Sequence, residues 1–210
     1  MRGCVVGRSG SGKTVWLWRR WMSQAPRVLI VDQTGEWKTK EPGARFAYGY
    51  AQTLAALREM TSRSHWRIVA YLSADEVYRL IDVLIPSPNI DESPVIAMGG
   101  MTMYLDEVDL VIPVGNAPES ARSLYRRSRH ASLSVLSATQ AISNVSKEVT
   151  RQCDFIGILA VHEPADVEYL RALLGHANAE DALAWANRPH HVALWLPQRR
   201  ELLKLTPAEL

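Results

Sequence analysis

The stretch that most constrains this chain is GRSGSGKT, residues 7–14, which follows only MRGCVV. Gly7, Gly12, Lys13 and Thr14 satisfy the full phosphate-binding-loop pattern, which demands a strand, a tight loop and a helix in succession. Glycine is required because backbone N–H groups must curl round phosphate oxygens without Cβ clashes. Gly10 adds freedom beyond that minimum, and Arg8, Ser9 and Ser11 complete the loop. Lys13 is expected to reach the β- and γ-phosphates, and the Thr14 hydroxyl to ligate Mg²⁺. The helix opening near Lys13 would turn its positive end to the anion. The implied cofactors are ATP and Mg²⁺. A small-molecule kinase, a switch GTPase or a DNA motor can each begin this way, so the loop alone does not choose.

Around this loop, apolar β-branched bursts alternate with helix-length segments. Strands are predicted at 3–6, 27–31, 67–72, 101–105, 133–138 and 155–161. Helices are predicted at 13–24, 51–63, 74–85, 117–129, 143–152 and 164–175. Pro164 and Gly175 mark the ends of the last one. Alternating β and α elements imply a mainly parallel sheet covered on both faces. Residues 190–205 read instead as two short strands about a Pro197–Gln198 turn. The expected fold class is therefore α/β: a RecA-like P-loop NTPase with a mainly parallel central sheet flanked by helices, ending in a short β-hairpin. A length of 210 residues suits one domain. Residues 1–175 would form its core and 176–210 a helix-and-hairpin extension.

Composition excludes more than it assigns. A net charge of +2 is too small for nucleic-acid binding by bulk electrostatics. Any such contact must come from local clusters such as Arg19–Arg20, Arg126–Arg127 with Arg129, or Arg199–Arg200, which otherwise read as solvated helix ends and turns. Cys4 and Cys153, without a signal peptide, read as reduced, buried apolar residues. The six histidines show no metal spacing. The most apolar region, 95–114, is broken by Asp106, Glu107 and Asp109, so no transmembrane segment is expected.

Two further segments carry chemistry. MTMYLDE (101–107) is an apolar strand that delivers Asp106 beside Thr14, where it can hold Mg²⁺ directly or through water. Glu107 would face the γ-phosphate and polarise an attacking water. A kinase has no use for such a base, because attack by water wastes ATP; an ATPase needs one. LSVLSATQ (133–140) is a buried strand delivering Thr139 and Gln140 to the same edge. Gln140 can bond the γ-phosphate or the attacking water, or simply cap the strand.

The ordered blocks resemble the FtsK–HerA superfamily of DNA-translocating ATPases. They are GRSGSGKT, then VDQTGEW (31–37), YLDEVD (104–109), YRRSRHASLSVLSATQ (125–140), VSKEVTRQCDFIGIL (145–159) and PADVEYLRALLG (164–175). The resemblance spans residues 2–175, and the block order with its Ala-Thr-Gln ending is its most specific part. It implies that Gln140 is a sensor glutamine. It also implies an arginine finger reaching a neighbouring subunit's site, from Arg126 or, preferred, Arg129; the alternative is that both merely pair with carboxylates or solvent. In VDQTGEW, Asp32 is placed near the Mg²⁺ end of the sheet and Gly35 permits a turn. Glu36 either orients the water or caps that turn, and both acids rank below Glu107. Trp37 reads as a semi-buried packing residue in preference to one that stacks on a base or at a subunit contact.

A core starting at its first strand, without added anchoring or DNA-orienting domains, looks most like the genome-packaging ATPases of tailless, membrane-containing icosahedral viruses. That likeness implies a ring, hexameric or pentameric, gripping double-stranded DNA by its phosphate backbone. Contacts would come from 38–45 or from Asn144 and Lys147. A capsid or membrane vertex protein would supply the anchor, and the protein would work in the host cytoplasm or at a virion vertex. Segment 86–100, rich in Pro and Gly, would be mobile or an interface. The alternatives are a phage assembly or export ATPase that moves no DNA, and a small P-loop nucleotide kinase.

Overall fold

In a computed structural model describing residues 1–85, 100–115 and 117–209, β1 (Arg2–Val6) is buried along its whole length. A strand so placed must have neighbours on both sides and cover on both faces. It leads through the glycine loop into α1 (Lys13–Leu17), which continues as a π-helical turn over Trp18–Met22. Then follow β2 (Arg27–Val31), α2 (Trp37–Lys40), β3 (Arg45–Tyr48), α3 (Gly49–Met60), β4 (Trp66–Tyr71) and α4 (Ala74–Leu84). The second half contains β5 (Met101–Leu105), α5 (Val108–Val111), α6 (Glu119–Arg127), β6 (Leu133–Thr139), α7 (Lys147–Gln152), β7 (Phe155–Ile158), α8 (Pro164–Leu174), α9 (His176–Ala186), β8 (Val192–Leu196) and β9 (Glu201–Leu205).

These strands form one sheet of order β3-β4-β2-β5-β6-β1-β7-β8-β9. Pairing is parallel from β3 to β7, and antiparallel where β8 and β9 close the far side. The α/β fold with its terminal hairpin is thus as the sequence predicts. Notably, β6 lies between β1 and β5, pairing with both. The ends of all three strands therefore meet at one point on the carboxyl-terminal edge, which is where open α/β sheets bind ligands.

Period-two alternation splits the sheet into two cores. On one face Cys4, Val6, Leu29, Val31, Met103 and Val135 pack with buried residues of α3, α4, α6, α8 and α9. On the other, Val5, Val28, Ile30, Tyr104 and Leu136 meet Trp16, Leu17, Met22 and Trp37. The second face is covered by aromatic bulk rather than helix length: Trp21 stacks on Phe155 at 4.3 Å, edge-on to Trp16 at 4.8 Å. Both cysteines are buried, and burial raises their thiols, Cys4 to about 11.

Several boundaries differ from expectation. The segment 38–45, read as a loop, starts inside α2 and ends on β3. The β7 strand stops at Ile158, and the predicted helix 143–152 divides into a 3₁₀ turn at Ile142–Asn144 and α7. Most of segment 86–100 lies outside the described residues. Among the described residues, no helix is long and apolar enough to cross a membrane.

Candidate active site

The glycine loop is stitched to its neighbours before it turns. The Gly7 amide donates to Thr139 O at 3.3 Å and the Arg8 amide to Ala160 O at 2.8 Å. A side chain at Gly7 would press on the Ser11 hydroxyl at 2.7 Å and on Leu159 at 2.9 Å, so this approach requires glycine. Gly12, at φ 94°, makes the left-handed turn into α1. Lys13 is buried, and its Nζ donates to Gly7 O at 2.7 Å and Arg8 O at 3.3 Å. Burial lowers its pKa, opposed by the charges of Glu107, Asp106, Asp109 and Glu36.

The β5 acids stand opposite. Asp106 follows Tyr104 by two residues, so both side chains take the α1 face. The Asp106 carboxylate, 5% exposed, accepts from Tyr104 OH at 2.8 Å and from Trp37 Nε1 at 2.9 Å. Burial raises its pKa, and these two donors oppose the rise. The Thr14 hydroxyl lies against the same Tyr104 phenol. Glu107 sits at φ 53°, ψ 66°, a left-handed conformation costing a non-glycine residue about 1 kcal/mol or more. That turn aims its carboxylate at the end of β6. Its Oε2 accepts from the Gln140 amide at 3.1 Å and its Oε1 from Gln140 Nε2 at 2.9 Å. Burial raises the Glu107 pKa, against the Gln140 bond and the Lys13 charge.

A cleft of about 410 Å³ brings these groups together. Ser9, Gly10, Gly12, Lys13 and Thr14 form one wall; Glu36, Asp106, Glu107 and Gln140 form the other. Glu36 is mostly exposed and pairs with Lys40 at 2.6 Å. Asp32 is nearby but turned away: its Oδ1 accepts from Thr34 N, Thr34 Oγ1 and Gly35 N, and its Oδ2 from Trp37 N at 2.9 Å. It organises the turn after β2 rather than facing the cleft. Mg²⁺ ordinarily takes one or two carboxylates plus phosphate oxygens and waters rather than an all-protein cage. The oxygen-only pair of Thr14 and Asp106 fits that demand, and no cluster of three or more ligating side chains is found among the described residues.

Arg126 and Arg129 are not brought to this cleft. Arg129 pairs with Asp154, which immediately precedes β7 and also holds Arg2 at the start of β1. That is the amino-terminal edge of the sheet, opposite the glycine loop. Arg126 pairs with Glu119 and Glu148.

Three residues escaped the sequence reading. Tyr104 was discoverable from its i, i+2 relation to Asp106. Trp37, expected to pack, is 1% exposed but also donates to Asp106. Asp109, which accepts from Thr139 Oγ1 at 2.7 Å and so pins the end of β6, gave no periodic signal.

No protein-family profile matches this sequence, and no curated protein matches it either. Solved structures do share the fold. The genome packaging NTPase B204 of Sulfolobus turreted icosahedral virus 2, in complex with ATPγS, has a TM-score of 0.74 at 17% identity, covering 98% of this chain and 96% of that one. VirB4 of Thermoanaerobacter pseudethanolicus gives 0.64 at 12% identity, covering 99% and 90%. The pCW3 conjugation coupling protein TcpA, with ATPγS, gives 0.56 at 14% identity, covering 97% of this chain and 59% of that one. At such identities the likeness is one of architecture, and the architecture is that of a P-loop NTPase.

Proposed function

We propose that this chain is an Mg²⁺-dependent ATPase that moves double-stranded DNA, acting in a ring to package a viral genome. The observation that carries the hydrolytic part is the convergence of Lys13, Thr14, Asp106, Glu107 and Gln140 on one cleft, from three adjacent strand ends. Bound nucleotide would draw Lys13 away from the loop carbonyls and onto phosphate oxygens, a charge-assisted exchange. When bound, Mg²⁺ supplies charge neutralisation at those oxygens, held by Thr14 and Asp106. Glu107 is the general base: burial raises its pKa, moving it toward the range where it can take a proton from water. Gln140 holds that base through two bonds and is the group that must reorient when the γ-phosphate arrives.

The DNA-moving part rests on the block order in the sequence and on the shared architecture of a packaging NTPase. The ring, the vertex partner and the location at a virion or in host cytoplasm follow from that same reading. A finger from Arg129 or Arg126 would require each to leave its present carboxylate partners.

Phosphate release with and without double-stranded DNA, in wild type and Glu107→Gln, tests the proposal. Turnover should rise with DNA of any sequence. The variant should lose about a hundredfold or more in kcat while still binding ATP. Phosphoryl transfer to a small acceptor, indifferent to DNA, would instead establish a kinase.

A further inference from the structure

Neither oxygen of the Asp106 carboxylate is without a protein donor. Trp37 Nε1 reaches Oδ2 at 2.9 Å and the Tyr104 hydroxyl reaches Oδ1 at 2.8 Å, with Trp37 and Tyr104 1% and 0% exposed. The indole is itself fixed. Its backbone amide donates to Asp32 Oδ2, and its ring meets Tyr104 at 5.4 Å and Trp18 at 6.0 Å. A chain of contacts therefore runs from Asp32, at the end of β2, through Trp37 to the acid at the end of β5. Packing alone does not require tryptophan here, since phenylalanine would fill much of the same apolar space. The indole N–H adds a directed bond to a buried charge, and a buried donor needs such a partner.

Each carboxylate oxygen has two lone pairs. With one on each taken by Trp37 and Tyr104, the remaining two have fixed directions, set before any cation arrives. We propose that Trp37 is the positioning residue of Asp106. Its N–H, with the Tyr104 hydroxyl, orients the carboxylate toward the cation or its water shell, and Asp32 locks Trp37 in place. This rests on Asp106 being the metal carboxylate of the proposed ATPase. Partners that orient a metal-binding group are commonly worth ten- to a hundredfold in metal affinity. Trp37 would therefore govern metal binding while leaving nucleotide binding without metal unchanged.

Mn²⁺ is the probe, its binding to the full chain with ADP followed by electron paramagnetic resonance. ADP binding in chelator is measured separately by calorimetry. Trp37→Phe should weaken Mn²⁺ about tenfold, leave metal-free ADP affinity unchanged, and recover hydrolysis at raised Mg²⁺. Unchanged Mn²⁺ affinity in Trp37→Phe, with Asp106→Asn clearly weakened, overturns the positioning role and spares the ATPase reading. Equal losses of ADP affinity with and without metal overturn it as well, because they mean general damage to the cleft. If Asp106→Asn binds Mn²⁺ as wild type does, the metal role of Asp106 fails first and the role of Trp37 falls with it. If Trp37→Phe does not fold, benzothienylalanine in place of Trp37 keeps the bicyclic shape, lacks only the N–H, and carries the same expectation.

Discussion

At the amino-terminal edge of the sheet Arg2, 5% exposed, is enclosed by three partners: its guanidinium donates to Asp154 Oδ1, the Tyr125 carbonyl and Gln152 Oε1, and its backbone amide to Asp154 Oδ2. At the carboxyl-terminal edge Lys13, 7% exposed, bonds only the carbonyls of its own loop, while four carboxylates act on it from a distance. Both are buried cations at the ends of one sheet. The first is matched by an adjacent counter-charge, with only its Nε left unpaired. The second has acceptors it can exchange, beside acids that are held by other groups. One edge is built to stay closed and the other to accept an anion.

The same substitution at each edge breaks this comparison most directly. Lys13→Met should cost about 10²–10³-fold in kcat/KM for ATP, the usual loss when one donor to a reacting oxyanion is removed. Its urea unfolding curve should stay at or beyond the wild-type midpoint, because methionine relieves a buried charge. Arg2→Met should do the reverse. It leaves Asp154 only its exposed side-chain partners Arg129 and Gln198 and should destabilise by about 2 kcal/mol, while hydrolysis per folded molecule is unchanged. Equal loss of activity in both would mean that the two edges are not independent.

The sequence made the working edge more legible than the supporting one. GRSGSGKT, YLDE and SATQ each carry their spacing within a few residues, so the cleft is readable from strand ends alone. What the sequence hid was contact between distant segments. The bond from Trp37 to Asp106 joins residues 69 apart, and that from Arg2 to Asp154 joins residues 152 apart, with no local pattern for either. β3 escaped because RFAY is short and its edge position leaves Tyr48 exposed, so no buried run announced it. The π-helical turn after α1 escaped because WRRWM reads as ordinary helix, and only the i→i+5 bond from Ser23 N to Trp18 O at 2.9 Å distinguishes it.

Acid should sharpen the contrast at the closed edge. Burial works against the Asp154 carboxylate, yet the Arg2 amide and guanidinium and the Arg129 guanidinium hold its pKa below the ordinary value. Its stabilisation is therefore complete above the unfolded aspartate value of about 3.9 and is lost as pH falls through the lower folded value. Urea midpoints measured at stepped pH should show Asp154→Asn well below wild type near neutrality. The two should converge under acid, as wild type gives up what the variant never had. Parallel curves at every pH would assign the loss to packing instead.

The smallest effect is expected at Arg129, and it decides whether the closed edge is also closed in a ring. Its side chain is 54% exposed, and Arg2 already holds its partner Asp154. Arg129→Ala should therefore shift unfolding by less than about 1 kcal/mol and leave hydrolysis by the isolated chain as it was. In an assembled ring on DNA the two possible roles separate. A finger acting on a neighbour's ATP contributes about 10³-fold or more, and to do so Arg129 must give up Asp154. Ring turnover that survives Arg129→Ala would leave the guanidinium with Asp154 alone, and Arg126→Ala, measured in the same ring, would then carry the question of a trans cation.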